Sequence, residues 1–254
     1  MRAMILAAGL GTRLRPLTDH LPKALAPLAG RTLLEITLTR LRSFGVGEVI
    51  VNVHHMAGMV EEYLRVHDDF GMKVEISREE ALLDTGGGLK KAAHFFLRDG
   101  RDEPFFVHNV DVLSDIDLAA MLRSHRERDA LATLAVRRRV GSRRLLFDAQ
   151  HQLCGRRTGD AEAEMARPAE HFPPQQTPEF EELTFAGIHV LSPRIFPLMH
   201  EEGCFPIVPV YLRLAAAGEN IVGFRTDQSY WRDLGTAASL QAAADDLAQA
   251  VVSV

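Results

Sequence analysis

Four ionisable side chains, far apart in the chain, have the types needed to handle phosphate: Arg13, Lys23, Asp111 and Asp233. A guanidinium donates two parallel hydrogen bonds to phosphate oxygens, so Arg13 is a candidate clamp for a leaving polyphosphate. Lys23 carries a compact charge suited to neutralising two phosphates as they approach each other. Asp111 and Asp233 are the candidate ligands of Mg2+, which prefers a few carboxylates completed by phosphate oxygens and water. Lys23, Lys73, Lys90 and Lys91 are the only lysines among 29 basic residues, so a lysine here stands out. Arginines do not. Arg137-Arg138-Arg139, Arg143-Arg144 and Arg156-Arg157 read as solvated strand-end residues, with an acidic sugar such as muramate, or nucleic acid, as the ligand alternative.

Arg13 lies in Gly9-Leu10-Gly11-Thr12-Arg13-Leu14-Arg15-Pro16, directly after the apolar run Ala3–Ala8. Backbone N–H groups of glycine-rich turns bind anions because no β-carbon blocks close approach. A dinucleotide fingerprint needs a third glycine where this chain has Leu14, and a Walker A loop needs a Gly-Lys pair, which the chain lacks. A nucleotidyltransferase loop, in which Arg13 meets a triphosphate directly, and a plain strand-to-helix turn are the readings left. No Ser-His-Asp or Cys-His pattern is evident. His54-His55 lacks a third metal ligand and reads as a pair of hydrogen-bonded loop residues. Cys154 and Cys204 are too few for a disulfide framework or a four-ligand zinc site, and read as buried thiols. Met56 and Met59 fit a core-facing helix stripe, and Asp115 and Asp117 fit helix caps.

The elements that would position these groups alternate. Strands are expected at Ala3–Ala8, Glu48–Val53, Lys73–Ser77, Phe105–Asn109 and Leu131–Val136. Helices are expected at Leu33–Phe44 (capped by Thr32, stopped by Gly45), Met56–Val66, Leu89–Leu97 and Leu118–Arg128. Such alternation predicts an α/β fold: a Rossmann-like, mostly parallel mixed sheet flanked by helices. Ligands then bind beyond the carboxyl ends of the strands, at the loops after Ala8, Ser77 and Asn109. The second half is less regular. A strand is expected at Leu183–Val190 and another at Ile221–Thr226, with helices at Pro193–Met199, Ile207–Ala217 and Thr236–Val252. The proline-bearing stretch 156–181 reads as a long surface loop or flap. One domain over 1–254 is expected, with a regular half (1–136) and a less regular half (137–254).

The run Leu6-Ala7-Ala8-Gly9-Leu10-Gly11-Thr12-Arg13-Leu14-Arg15-Pro16-Leu17-Thr18, followed by Pro22-Lys23, resembles the signature of the sugar-1-phosphate nucleotidyltransferases. The likeness continues at Leu83–Gly88, Asn109-Val110-Asp111, Phe185–Ile188 and Trp231–Thr236, in the family's order. The Thr-Gly-Gly-Gly form and the short length are most similar to uridylyltransferases of N-acetylmuramate 1-phosphate and guanylyltransferases of mannose or heptose 1-phosphate. The resemblance implies a nucleotide-diphospho-sugar transferase fold, with 1–136 as the nucleotide-binding half and 137–254 as the sugar-binding half. It implies transfer from a nucleoside triphosphate, UTP or GTP favoured, to a sugar 1-phosphate, with Mg2+ as cofactor. It further implies backbone contacts to the base from Ala8 and Gly9, and nucleotide contacts from Gly11, Thr12, Thr85 and Gly86. Asn109, Gly187 and Asp233 would face the sugar. Two departures are visible. Val110 stands where the family commonly has glycine, which would narrow the sugar site. Ala166-Arg167-Pro168 stands where many relatives have Glu-Lys-Pro.

The 254 residues, 46% hydrophobic and 25% charged, exclude a disordered tail or a fibrous repeat. No apolar run approaches the roughly 18 residues of a membrane span. A net charge of −5 argues against a surface built for nucleic acid. A reducing cytoplasm is the expected location, and the oligomeric state is not readable. Two other functions share the glycine loop: a cytidylyltransferase acting on phosphocholine or a phosphorylated polyol, and a non-catalytic nucleotide-sugar-binding module.

Overall fold

Side chains alternate across a strand, and in strand β1 (Arg2–Leu6) both sets are apolar. Ala3 and Ile5 face one core and Met4 the other, each 0% exposed. The same division recurs along β4 (Glu48–Val53), where Val49 and Val51 oppose Ile50, and along β6 (Phe105–Asn109), where Phe106 opposes Phe105 and Val107. Strands buried on both faces belong inside a parallel sheet covered by helices. The computed structural model describes residues 1–166 and 180–252.

Between β1 and β4 lie the two-residue strands β2 (Pro27–Leu28) and β3 (Arg31–Thr32), then α1 (Leu33–Ser43). The Thr32 side chain accepts from the N–H of Glu35 at 3.1 Å and caps α1. Helix α2 (Ala57–Val66), β5 (Lys73–Arg78), α3 (Asp84–Lys91) and α4 (Ala93–Leu97) lead to β6. Then come β7 (Val112–Ser114), α5 (Leu118–Glu127), β8 (Ala132–Arg137), β9 (Arg143–Phe147), β10 (Leu153–Thr158), β11 (Glu164–Met165) and β12 (Glu181–Leu191). Helix α6 (Ile207–Ala216), β13 (Ile221–Arg225), β14 (Trp231–Asp233) and α7 (Ala237–Ala248) close the described chain.

The large sheet runs β11-β10-β9-β12-β6-β1-β4-β5, with β8 on β12 and β13 on β8. Strands β5, β4, β1 and β6 are parallel, as are β8 and β13, and β12 runs against its neighbours. This is the expected mostly parallel mixed sheet. Helices α1, α2, α5 and α7 cover one face, and α3, α4 and α6 the other.

The sequence reading departs from the structure in several places. Gly86, Gly87 and Gly88 do not precede a helix but lie inside α3. A β-carbon on Gly86 would come within 2.5 Å of the Phe205 ring, and one on Gly88 within 2.8 Å of Asn52 and Glu79. These glycines are set by packing, which overrides their poor helix propensity. Strands β7, β9, β10 and β14 were not expected: β9, β10 and β14 mix apolar residues with arginine, and β7 is only three residues long. Part of the expected flap is strand: β10 runs to Thr158 and β11 covers Glu164–Met165, while 167–179, with Pro168, Pro173, Pro174 and Pro178, lies outside the described residues. Met59 is exposed rather than in the core stripe, which Ala57, Val60 and Leu64 form, and Cys204 is exposed while Cys154 is buried.

Three histidines are buried in this scaffold. Loss of hydration holds His108 and His125 at about 4 and His189 at about 3. In the unfolded chain they titrate near about 6.5, so below that pH the unfolded state binds more protons. Stability should therefore fall as pH drops from about 6.5 toward about 4. Urea midpoints measured across that interval check this, and a flat profile would contradict it.

Candidate active site

The parallel strands end at one edge of the sheet, where β1 gives way to Ala8-Gly9 and β6 to Val110-Asp111. A recess of about 310 Å³ opens there, lined by Ala8, Gly9, Lys23, Asn52, Val110 and Asp111 among others. Beside it lies a cleft of about 830 Å³, with Arg13, Gly187, Trp231 and Asp233 in its walls. Asp84, Thr85, Asn109 and Asp111 border both cavities.

Buried polar groups tie the loops of the recess together. The N–H of Ala7 donates to Asn52 Oδ1 at 2.7 Å, and Asn52 Nδ2 donates to Glu79 Oε1 at 2.7 Å. Glu79 Oε2 accepts the N–H of Leu83 at 3.0 Å, so one chain of bonds joins the glycine loop to the start of α3. Asn52 and Glu79 are each 2% exposed. Neither was anticipated; the only hint was an asparagine interrupting the β-branched strand Glu48–Val53.

Charges of alternating sign meet where the cavities join. Lys23 Nζ forms an ion pair with Asp111 Oδ2, with both side chains largely buried. Arg13 Nη2 lies 3.8 Å from Asp233 Oδ1 in a more exposed position. Asp111 and Asp233, far apart in sequence, are brought together by the ladder of β7 on β14, in which Asp233 faces Val112. The N–H of Leu234 donates to the Asp111 carbonyl at 2.8 Å. Both Asp111 and Asp233 border the same cleft.

The remaining expected residues divide. Asn109 and Gly187 lie side by side at the end of the paired strands β6 and β12: Gly187 sits at an irregularity of β12 with φ +78°, and a β-carbon there would come 2.8 Å from Asn109 Nδ2. Thr85 Oγ1 accepts the N–H of Ile207 at 3.0 Å. Gly11 and Thr12 stand on the loop before Arg13 and border neither cavity. Gly11 has φ +64° and packs on Thr18 and the stem of Lys23, so it shapes the loop. Gly86 also borders neither, because Phe205 fills the space beside it. Val110 lines the recess rather than the cleft. Asp117 caps α5 at Ala120 N–H, 2.8 Å, while Asp115 accepts from Tyr230 N–H at 2.8 Å. Of the arginines read as solvated, Arg138, Arg139 and Arg143 are exposed, and Arg139, Arg143, Arg144, Arg156 and Arg157 also border the cleft.

Residues 2–143 match the nucleotidyl transferase family profile. The chain belongs to that family. It is similar to N-acetylmuramate alpha-1-phosphate uridylyltransferase of Caulobacter vibrioides, 34% identical over 98% of this chain and 97% of that protein. It is also similar to UTP–glucose-1-phosphate uridylyltransferase of Synechocystis, 38% identical over 53% of this chain; the match spans 36% of that longer protein. Among solved structures, a UDP-glucose pyrophosphorylase complexed with UDP-glucose superposes with a TM-score of 0.76 over 98% of both chains at 16% identity, a likeness of fold.

One further residue of this nucleotidyl transferase was not anticipated. The N–H of Gly235 donates to Asp233 Oδ1 at 2.7 Å, and a β-carbon on Gly235 would overlap the Arg13 guanidinium and come 2.6 Å from that carboxylate oxygen. The guanidinium is the mobile end of a long side chain and would give way. Gly235→Ala should therefore lower turnover at least roughly tenfold by misplacing a charge donor, while the melting temperature barely moves. Turnover assays and thermal unfolding of the same variant check both halves.

Proposed function

We propose that this transferase joins UTP to N-acetylmuramate 1-phosphate, giving the nucleotide-sugar and pyrophosphate, with Mg2+ as cofactor. The observation that carries the reading is the meeting of Lys23, Asp111, Asp233 and Arg13 at the junction of two cavities. One cavity takes the nucleotide and the other the sugar. The choice of UTP and of this sugar is supported by the relative matched along nearly its whole length. A UTP-consuming reaction and two cysteines without a disulfide suit the cytoplasm.

The acceptor needs no general base, since a phosphate monoester is mostly dianionic above its second pKa of about 6. Its oxygen attacks the α-phosphorus of UTP. A P–O bond forms there as the bond to the β-phosphate bridging oxygen breaks, and the electron pair leaves on pyrophosphate. Lys23 screens the repulsion between the two phosphates as they meet, and Arg13 receives the charge building on the leaving group. Backbone amides of Ala8 and Gly9 at the recess wall hold the base.

Asp111 and Asp233 would hold the metal. Among the described residues no group of three or more His, Cys, Asp or Glu is placed to bind an ion. Two carboxylates completed by substrate oxygens fit magnesium, which keeps several ligands from water and phosphate. When bound, Mg2+ aligns the phosphates and polarises the α-phosphorus.

Pyrophosphate release across a grid of nucleoside triphosphates and phosphorylated acceptors tests the reading. Turnover should appear with UTP and a sugar 1-phosphate, whereas release only with CTP and a choline or polyol phosphate would replace the acceptor class. Arg13→Ala should lower kcat by roughly 10²–10³; a rise in KM alone would make Arg13 a uniform binding contact. Asp111→Asn should abolish metal-dependent turnover and remove the Mg2+-dependent part of the thermal shift given by UTP. Normal activity would overturn the ligand assignment.

A further inference from the structure

The cleft has a second charged end. Beyond the aspartates, Arg139, Arg143, Arg144, Arg156 and Arg157 border it. Three of these are committed: Arg144 and Arg157 to Glu182 at 2.9 and 2.8 Å, and Arg156 to Glu164 at 2.6 Å. Among the described residues Arg139 and Arg143 have no carboxylate partner, and both are exposed. Arg139 is not loose, because its guanidinium lies over the Trp231 ring, 4.9 Å from the centroid. The indole is fixed in turn, donating from Nε1 to the Ala186 carbonyl at 2.8 Å.

Spacing decides what this end reads. Trp231 and Asp233 are two residues apart on β14 and both border the cleft, so they lie about 7 Å apart along the strand. That is comparable to the width of a hexose ring. A sugar with its anomeric phosphate at Asp233 would span Trp231 and carry its far substituents toward Arg139.

We infer that Arg139, held over Trp231, together with Arg143, receives a second anionic group of the acceptor, on the side of the sugar opposite the anomeric phosphate. Such a group is a carboxylate or a second phosphate, and the guanidinium fork accepts either in bidentate fashion. This assigns the acceptor preference to named residues and rests on the nucleotidyl-transfer reading above.

The test measures both turnover and direct calorimetric binding. Acceptors with a carboxylate (N-acetylmuramate 1-phosphate, glucuronate 1-phosphate) and with a second phosphate (glucose 1,6-bisphosphate) are set against neutral N-acetylglucosamine 1-phosphate and glucose 1-phosphate. The native enzyme should favour one anionic class over its neutral counterpart by roughly 10–100-fold in kcat/KM. In Arg139→Gln and Arg143→Gln that ratio should collapse toward one. Arg138→Gln, a change to a neighbour paired with Glu181 and outside the cleft wall, should keep it. Equal use of neutral and anionic acceptors, or a ratio untouched by the Arg139 and Arg143 changes, would overturn the inference while leaving nucleotidyl transfer standing. Charge-selective binding that depends on Arg139 without any turnover would uphold the inference and sink the catalytic reading.

Discussion

The side chain of Asp111 pairs with Lys23, while its carbonyl oxygen accepts the N–H of Leu234. Through these two bonds one residue fixes both the cation of the first loop and the strand that carries Asp233. The side-chain pair is largely withdrawn from water, where removing one partner leaves an uncompensated charge. The arrangement is therefore cooperative in placement: the glycine loop, the end of β6 and the β7–β14 ladder take up their positions together. Arg13 and Asp233 then occupy a wetter position, where a long side chain is free to exchange one oxygen partner for another.

Close approach is the second constraint. Gly88 lets α3 settle onto the Asn52–Glu79 pair, and Gly235 leaves room for the Arg13 guanidinium beside Asp233. In both cases the absent side chain matters because polar groups fill its place. The buried Asn52–Glu79 bonds satisfy two backbone N–H groups, those of Ala7 and Leu83, at the mouths of two loops. An unmade hydrogen bond there would cost about 1–3 kcal/mol, so the network holds the recess open in one shape.

Much of this was legible in the chain. The apolar runs of β1, β4 and β6 predicted a parallel sheet, and that sheet predicted an edge at which Gly9 and Asp111 meet. Thr32 announced α1 because its hydroxyl has a local task. What escaped had no local signature. Strands β9 and β10 carry arginines that read as solvent-facing, and only the pairing with β12 turns them toward a cleft. The helix expected from Leu89 omits the glycines of α3, since what demands them is distant in sequence: Phe205 beside Gly86, and Asn52 with Glu79 beside Gly88. Asn52 and Glu79 are ordinary polar residues until the fold places them against each other.

The distribution of charge along the cleft now has a physical sense. The chain as a whole is acidic, with a net charge of −5. At the junction of the cavities each cation faces a carboxylate, Lys23 with Asp111 and Arg13 with Asp233, so that corner is nearly neutral. At the far end two carboxylates serve three arginines, Glu182 with Arg144 and Arg157 and Glu164 with Arg156, while among the described residues Arg139 and Arg143 face none. Positive charge concentrated against the sign of the whole molecule creates a local attractive field, which low-dielectric walls focus into the cleft. Under the inference drawn above, an acceptor whose only charge is its anomeric phosphate would gain no orientation from such a field, whereas one charged at both ends would be aligned by it, with its second anion toward Arg139.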